Sequence, residues 1–103
     1  MTQTAQPTMR RLAVTEDMTI YQAAQQKQML LDALTTAQQI ELDLARVPEI
    51  DTAGLQLLIL LKREAAARNI AVRIVAHSEP VRAAIEFCNM AASFGDPMVI
   101  PAA

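Results

Sequence analysis

The stretch Ile50-Asp51-Thr52-Ala53-Gly54-Leu55 constrains this chain more than any other part of it. It lies between two segments of different period. Upstream, Ile40-Glu41-Leu42-Asp43-Leu44 alternates apolar and charged residues, as a strand with one covered face does. Downstream, Leu55 to Arg68 spaces its apolar residues at helical intervals. Between them Pro48 discourages a continuing ladder. Asp51 and Thr52 therefore stand at a strand-to-helix junction, where the first N–H groups of the helix lack partners. An Asp or Thr in that place is first of all a cap.

The helix after the junction has two apolar sides. At about 100° per residue, Leu57, Leu58, Leu61 and Ala65 share one face, which is the core contact. Thr52, Gln56, Ile59 and Arg63 form a stripe on roughly the opposite side, with Leu60 beside it. A surface helix normally keeps that side polar. Apolar groups facing outward beside a hydroxyl suggest docking of another molecule. The competing explanation is that another element of the same domain covers them.

Composition removes several classes of function. The 103 residues suffice for one domain with one core. Aromatic residues make up 3% of the chain, so Leu, Ile, Val, Met and Ala must build that core. A net charge of -2 with no basic block gives nucleic-acid binding no electrostatic support. One cysteine, Cys88, cannot form an internal disulfide and points to a reducing, cytoplasmic compartment. The longest apolar run, Leu57 to Leu61, falls far short of the roughly 20 residues of a membrane span. The Thr/Gln-rich start has no apolar core of a signal peptide.

Read in order, residues 1–9 form a flexible tail and residues 10–103 a single domain. Arg10 to Val14 reads as a short strand. Thr15-Glu16-Asp17 is a turn, and Met18 to Tyr21 a second short strand paired with the first. A helix from Tyr21 or Gln22 to Thr36 places Ala23, Ala24, Met29, Leu30, Ala33 and Leu34 on one side. After the strand Ile40–Leu44 and the central helix, Asn69 is a left-handed helix stop. Ile70 to Ala76 is nearly all apolar and reads as a strand buried on most of both faces. Ser78 caps a further helix with Glu79 and Pro80 in its first turn, running through Val81, Ala84, Ile85 and Cys88. Gly95-Asp96-Pro97 is a turn and Met98-Val99-Ile100 a last short strand. The predicted order is ββ-α-β-α-β-α-β: an α/β fold with a small mixed sheet backed by helices mainly on one face.

The residues offer little catalytic chemistry. One His and one Cys give no cluster with metal-ligand spacing. His77 lies just before a helix cap, where a solvated loop His is the ordinary case, and no nucleophile elbow is present. Gly54 stands alone, with no Gly-rich loop to cradle phosphates. Cys88 is most simply a small core residue. The remaining chemistry is phosphorylation of Thr52, which would place nearly two negative charges and three acceptor oxygens at a helix N-terminus. The domain would tolerate the group, whereas a partner lying over Gln56, Ile59 and Leu60 would meet a bulky dianion.

Ile40-Glu41-Leu42-Asp43-Leu44, Val47 and Ile50-Asp51-Thr52-Ala53-Gly54-Leu55, followed by an apolar helix, resemble the STAS domain. That family joins sulphate transporters and anti-sigma-factor antagonists. Its motif is an apolar strand with an Asp, a short connector, then Asp-Ser-(Ser/Thr/Ala)-Gly-Leu. The resemblance covers about Arg10 to Ile100 and implies a small sheet backed by helices with no catalytic activity and no cofactor. It also implies a phosphorylation-controlled binding protein. In the antagonists the residue after the motif Asp is phosphorylated by a kinase that is also an anti-sigma factor, and a phosphatase resets it. By position that residue is Thr52, with Asp51, Gly54 and Leu55 matching the motif beside it. Here Thr replaces the usual Ser, Ala53 replaces a frequent second hydroxyl, and Glu16-Asp17 replaces a frequent Gly-acid pair. A Thr at this place also resembles the small STAS subunit of bacterial lipid-transport ABC systems, which docks on the ATPase.

The sequence therefore predicts a protein-binding regulator, not an enzyme. Its partner surface is Asp51, Thr52, Gly54, Leu55, Gln56, Ile59, Leu60 and Arg63, and its phosphoacceptor is Thr52. The partner is a kinase-type anti-sigma factor or, in the alternative, an ABC ATPase, and Ile59 and Leu60 leave a homodimer open.

Overall fold

The structure, a computed structural model, describes residues 8–93. Its elements are β1 (Met9–Ala13), α1 (Ala23–Ala33), β2 (Gln39–Leu44), α2 (Thr52–Ala67), β3 (Ala71–His77) and α3 (Glu79–Ser93). The strands form one parallel sheet in the order β1-β2-β3, so each strand is joined to its neighbour through a helix. The α/β class and the succession of strand–helix–strand units agree with the sequence reading. Met9, assigned there to the tail, opens β1.

β2 is the central strand, and its alternation works as its sequence says. Ile40, Leu42 and Leu44 are buried, while Glu41 and Asp43 turn to the other face. The buried set meets Leu30, Ala33 and Leu34 of the α1 region, Leu57, Leu58, Leu61 and Ala65 of α2, and Val81 of α3 in one core. The opposite face of the sheet mixes charged residues with the exposed side chains of Met9 and Val75. There Arg11 bonds Glu41 at 2.7 Å, and Arg73 stands in register on the far side of Glu41.

Three expectations need correction. Met18 to Tyr21 is not a strand paired with β1. Only Met18 pairs, and it bridges Ile50 in parallel: its N–H donates to the Glu49 carbonyl at 2.8 Å, and its carbonyl accepts from Asp51 N–H at 3.1 Å. The parallel topology brings the connection after β1 beside the connection after β2, which a hairpin would not have done. β3 is not buried on both faces. Its residues alternate between exposed and half-buried, because helices cover one face and β3 lies at an edge of the three described strands. On α1, Ala24 and Met29 face outward, and the inner stripe is Gln26, Leu30 and Ala33. The predicted strand Met98 to Ile100 lies outside the described residues.

Other local readings hold. Asn69 has φ 59° and ends α2 in the left-handed region, where its short polar side chain is tolerated. The Ser78 hydroxyl accepts from Val81 N–H at 3.4 Å at the start of α3. Cys88 is buried, and that burial pushes its thiol pKa up.

Candidate functional site

The mouth of α2 is held by Asp51. Its Oδ1 accepts from Gly54 N–H at 3.1 Å, which is the helix cap. Its Oδ2 accepts from Ile20 N–H at 3.0 Å, across to the connection after β1. One carboxylate thus fixes two segments that are distant in sequence. These donors, the Ile20 N–H foremost, hold the Asp51 pKa below the usual carboxylate range.

Gly54 is buried directly under Met18. A Cβ at Gly54 would come within 2.0 Å of the Met18 carbonyl oxygen. Only a residue without a side chain lets the first turn of α2 approach the bridging strand so closely. Gly54, predicted as part of the partner surface, therefore acts from beneath it. Gln26 supports the same connection. It is 6% exposed, and its Nε2 donates to the Asp17 carbonyl at 2.9 Å.

Because Asp51 does the capping, Thr52 is left exposed as the first residue of α2. It stands on the lip of a cleft of about 250 Å³. One wall is Ile50, Asp51, Thr52, Leu55, Gln56 and Ile59, and the other is Ala84, Phe87 and Cys88 of α3. Ile59 is half-buried and Gln56 exposed. Leu60 and Arg63 lie outside the cleft lining, the first half-buried and the second exposed. Five of the eight predicted surface residues thus converge on the cleft: Asp51, Thr52, Leu55, Gln56 and Ile59.

The largest apolar contributions were missed in the sequence. Ile20 is 68% exposed, Tyr21 91% and Phe87 61%. Ile20 is tied to Asp51 by the bond just described, and Phe87 lines the cleft. A signal for Phe87 existed, since it falls well off the stripe shared by Val81, Ile85 and Cys88. A signal for Ile20 and Tyr21 existed only in the topology, because parallel strands gather their following connections at one end of the sheet.

Among the described residues no group of three or more His, Cys, Asp or Glu side chains could hold a metal ion. His77 ends β3, is exposed, and is not part of the lining that includes Thr52. No helix of the described residues is long and apolar enough to cross a membrane. The arrangement is an exposed hydroxyl on the first turn of a helix, with Asp51 and Gln56 and the apolar Ile50, Leu55, Ile59 and Phe87 in the same lining.

Comparison with known proteins adds three findings. No curated protein matches the chain. Among solved structures it is similar to one titled "Crystal Structure Analysis of Mglu", with 27% identity and a TM-score of 0.57 over 64% of this chain. The match spans 17% of that structure's chain, so the likeness concerns one part of a much longer protein. A family model described as "Mlab, STAS domain" matches residues 1–100, which takes in every element described above. With its Asp51-Thr52-Ala53-Gly54-Leu55 junction and its sheet backed by helices, the chain belongs to the STAS domain family.

Proposed function

We propose that this protein is a non-enzymatic docking module that works in the cytoplasm and whose partner seats on the Thr52 end of α2, with Thr52 as a phosphorylation switch. The observation that carries the reading is the exposed Thr52 on the lip of a cleft that exposed Phe87 also lines, with exposed Ile20 tied to Asp51 next to it. Exposed apolar groups clustered around one polar side chain are what a protein interface looks like before its partner arrives.

The switch follows from charge. In its unmodified form the hydroxyl is small and neutral, and a partner closes over it without a large desolvation penalty. A phosphate there adds nearly two charges beside the Asp51 carboxylate, whose oxygens already hold the Gly54 and Ile20 N–H groups. The phosphate thus finds fewer open donors than a bare helix N-terminus would give. On the free protein, water screens the added charge. Under a docked partner it does not, and losing about 3–4 kcal/mol would weaken binding a few hundredfold.

In this reading the partner is a kinase-type anti-sigma factor, a phosphatase resets the switch, and the protein is an anti-sigma-factor antagonist. A second reading has a specific observation in its favour. Residue 52 is Thr rather than Ser, as in the STAS subunits of lipid-transport ABC systems, and the matching family model bears the name Mlab. There the partner is an ATPase and Thr52 is a contact, not an acceptor. Intact mass of the protein from its own cells, with the partner identified after affinity capture, separates the two. One phosphate on Thr52 and a captured kinase support the first. An unmodified Thr52 and a captured ATPase support the second and discard the first.

A further inference from the structure

Resting on the reading of the Thr52 mouth as a docking face, we infer that its occupant is an amphipathic helix with Leu-type anchors flanked by Lys or Arg. The shape of the cleft suits a helix. The cleft is walled by two helices: α2 through Thr52, Leu55, Gln56 and Ile59, and α3 through Ala84, Phe87 and Cys88. Both sets recur at three- and four-residue spacing, so each wall is a helical stripe and the space between them is a groove suited to a third helix. A volume of about 250 Å³ admits one or two aliphatic side chains rather than a whole segment.

The charge around the mouth selects the helix's flanks. The parallel sheet gathers the connections 14–22 and 45–51 at the end where α2 begins, and the Met18–Ile50 bridge locks them together. They carry Glu16, Asp17, Glu49 and Asp51 against Arg46 alone. Their combined charge of -3 exceeds the -2 of the whole chain, so the rest of the molecule is slightly positive. Glu16 and Glu49 are exposed, and their carboxylates form no ion pair among the described residues. The end of the molecule where α2 opens is therefore acidic on the side of these two connections. A second copy docking on this face with its two-fold axis along these connections would bring like charges together, which is unfavourable. A partner with cations outside its apolar anchors meets these acids with opposite charge. Those cations are set against Glu16 and Glu49, while Thr52 stands on the lip of the cleft that takes the apolar anchors.

The test uses the isotope-labelled full chain and two synthetic helical peptides. One has Leu on one face and Lys on the other, and its counterpart has Glu in place of Lys. The Lys peptide is expected to shift the amide signals of Ile20, Tyr21, Thr52, Gln56 and Phe87, with affinity falling as salt rises. The Glu peptide is expected to leave them in place. The double variant Glu16→Lys, Glu49→Lys should bind the Lys peptide about tenfold more weakly. Equal binding of both peptides on this face would overturn the charge argument while leaving the docking face standing. Shifts centred elsewhere, such as the Arg11–Glu41–Arg73 face, or no binding tighter than about 1 mM by either peptide, would overturn the inference.

Discussion

Gly54 and Asp51 are the two residues on which the mouth of α2 depends, and they act in opposite ways. At an open position in a helix, Gly→Ala stabilises by about 1 kcal/mol because Ala loses less backbone freedom. At Gly54 the sign reverses, since the added carbon would lie 2.0 Å from the Met18 carbonyl oxygen. The Met18 backbone cannot yield without losing its bonds to Glu49 and Asp51. Gly54→Ala is expected to destabilise by about 3 kcal/mol, the upper part of the range for overpacking, measured by urea unfolding. Asp51 acts through its charge. Its pKa in the folded state lies below that of the unfolded chain, so the unfolded state binds the proton first as pH falls. Its stabilisation is fully present above the ordinary carboxylate range of about 4 and is lost as pH drops through the lower folded value. Unfolding of the wild type and of Asp51→Asn, followed across pH, should differ at pH 6 and converge in acid. A gap that persists unchanged at low pH would mean the charge is not what matters.

At the scale of the element, α2 is two helices in one. Its inner stripe, Leu57, Leu58, Leu61 and Ala65, is buried as its spacing says. Its outer stripe carries Thr52, Gln56, Ile59 and Arg63, which are exposed or half-buried. Leu61→Ala should cost about 2–5 kcal/mol through lost burial and the cavity left behind. Ile59→Ala should cost less than about 1.5 kcal/mol, because water already reaches that side chain. Urea midpoints of the two variants check the contrast, and equal losses would mean that Ile59 belongs to the core. This division was legible in the sequence because one period governs both stripes and the charged residues mark the outer one. The strand β2 was legible for the same reason. The connection 14–22 was not. Met18 to Tyr21 has the residue types of a strand, yet Thr19, Ile20 and Tyr21 form a turn, with Gln22 N–H donating to the Thr19 carbonyl at 3.0 Å. What decides the matter is a contact 32 residues away, between Met18 and Ile50, and no local period reports it. Gln26 was illegible likewise, since a glutamine on an Ala-rich helix reads as surface until the carbonyl it serves is known.

At the scale of the whole molecule, the parallel order of the sheet makes the site. It carries the connections after β1 and β2, and the start of α3 after β3, to one end, where Thr52 opens α2. The motif alone located Thr52 but not its apolar surroundings, because Phe87, which lines the cleft, and Ile20, which is tied to Asp51, come from other parts of the chain. The STAS fold thus sets the Arg11–Glu41 pair on the open sheet face and brings Thr52, Ile59 and Phe87 together at the helix mouth. What the parallel sheet and the Thr52 mouth together require is a partner that closes over the Thr52 hydroxyl. That closure is tested most directly by titrating the partner captured from native cells against wild type and Thr52→Glu in a calorimeter, with thermal unfolding of both proteins as control. The account predicts nearly equal melting temperatures and binding weakened by a hundredfold or more. Equal affinity for the two proteins, each folded, would contradict it.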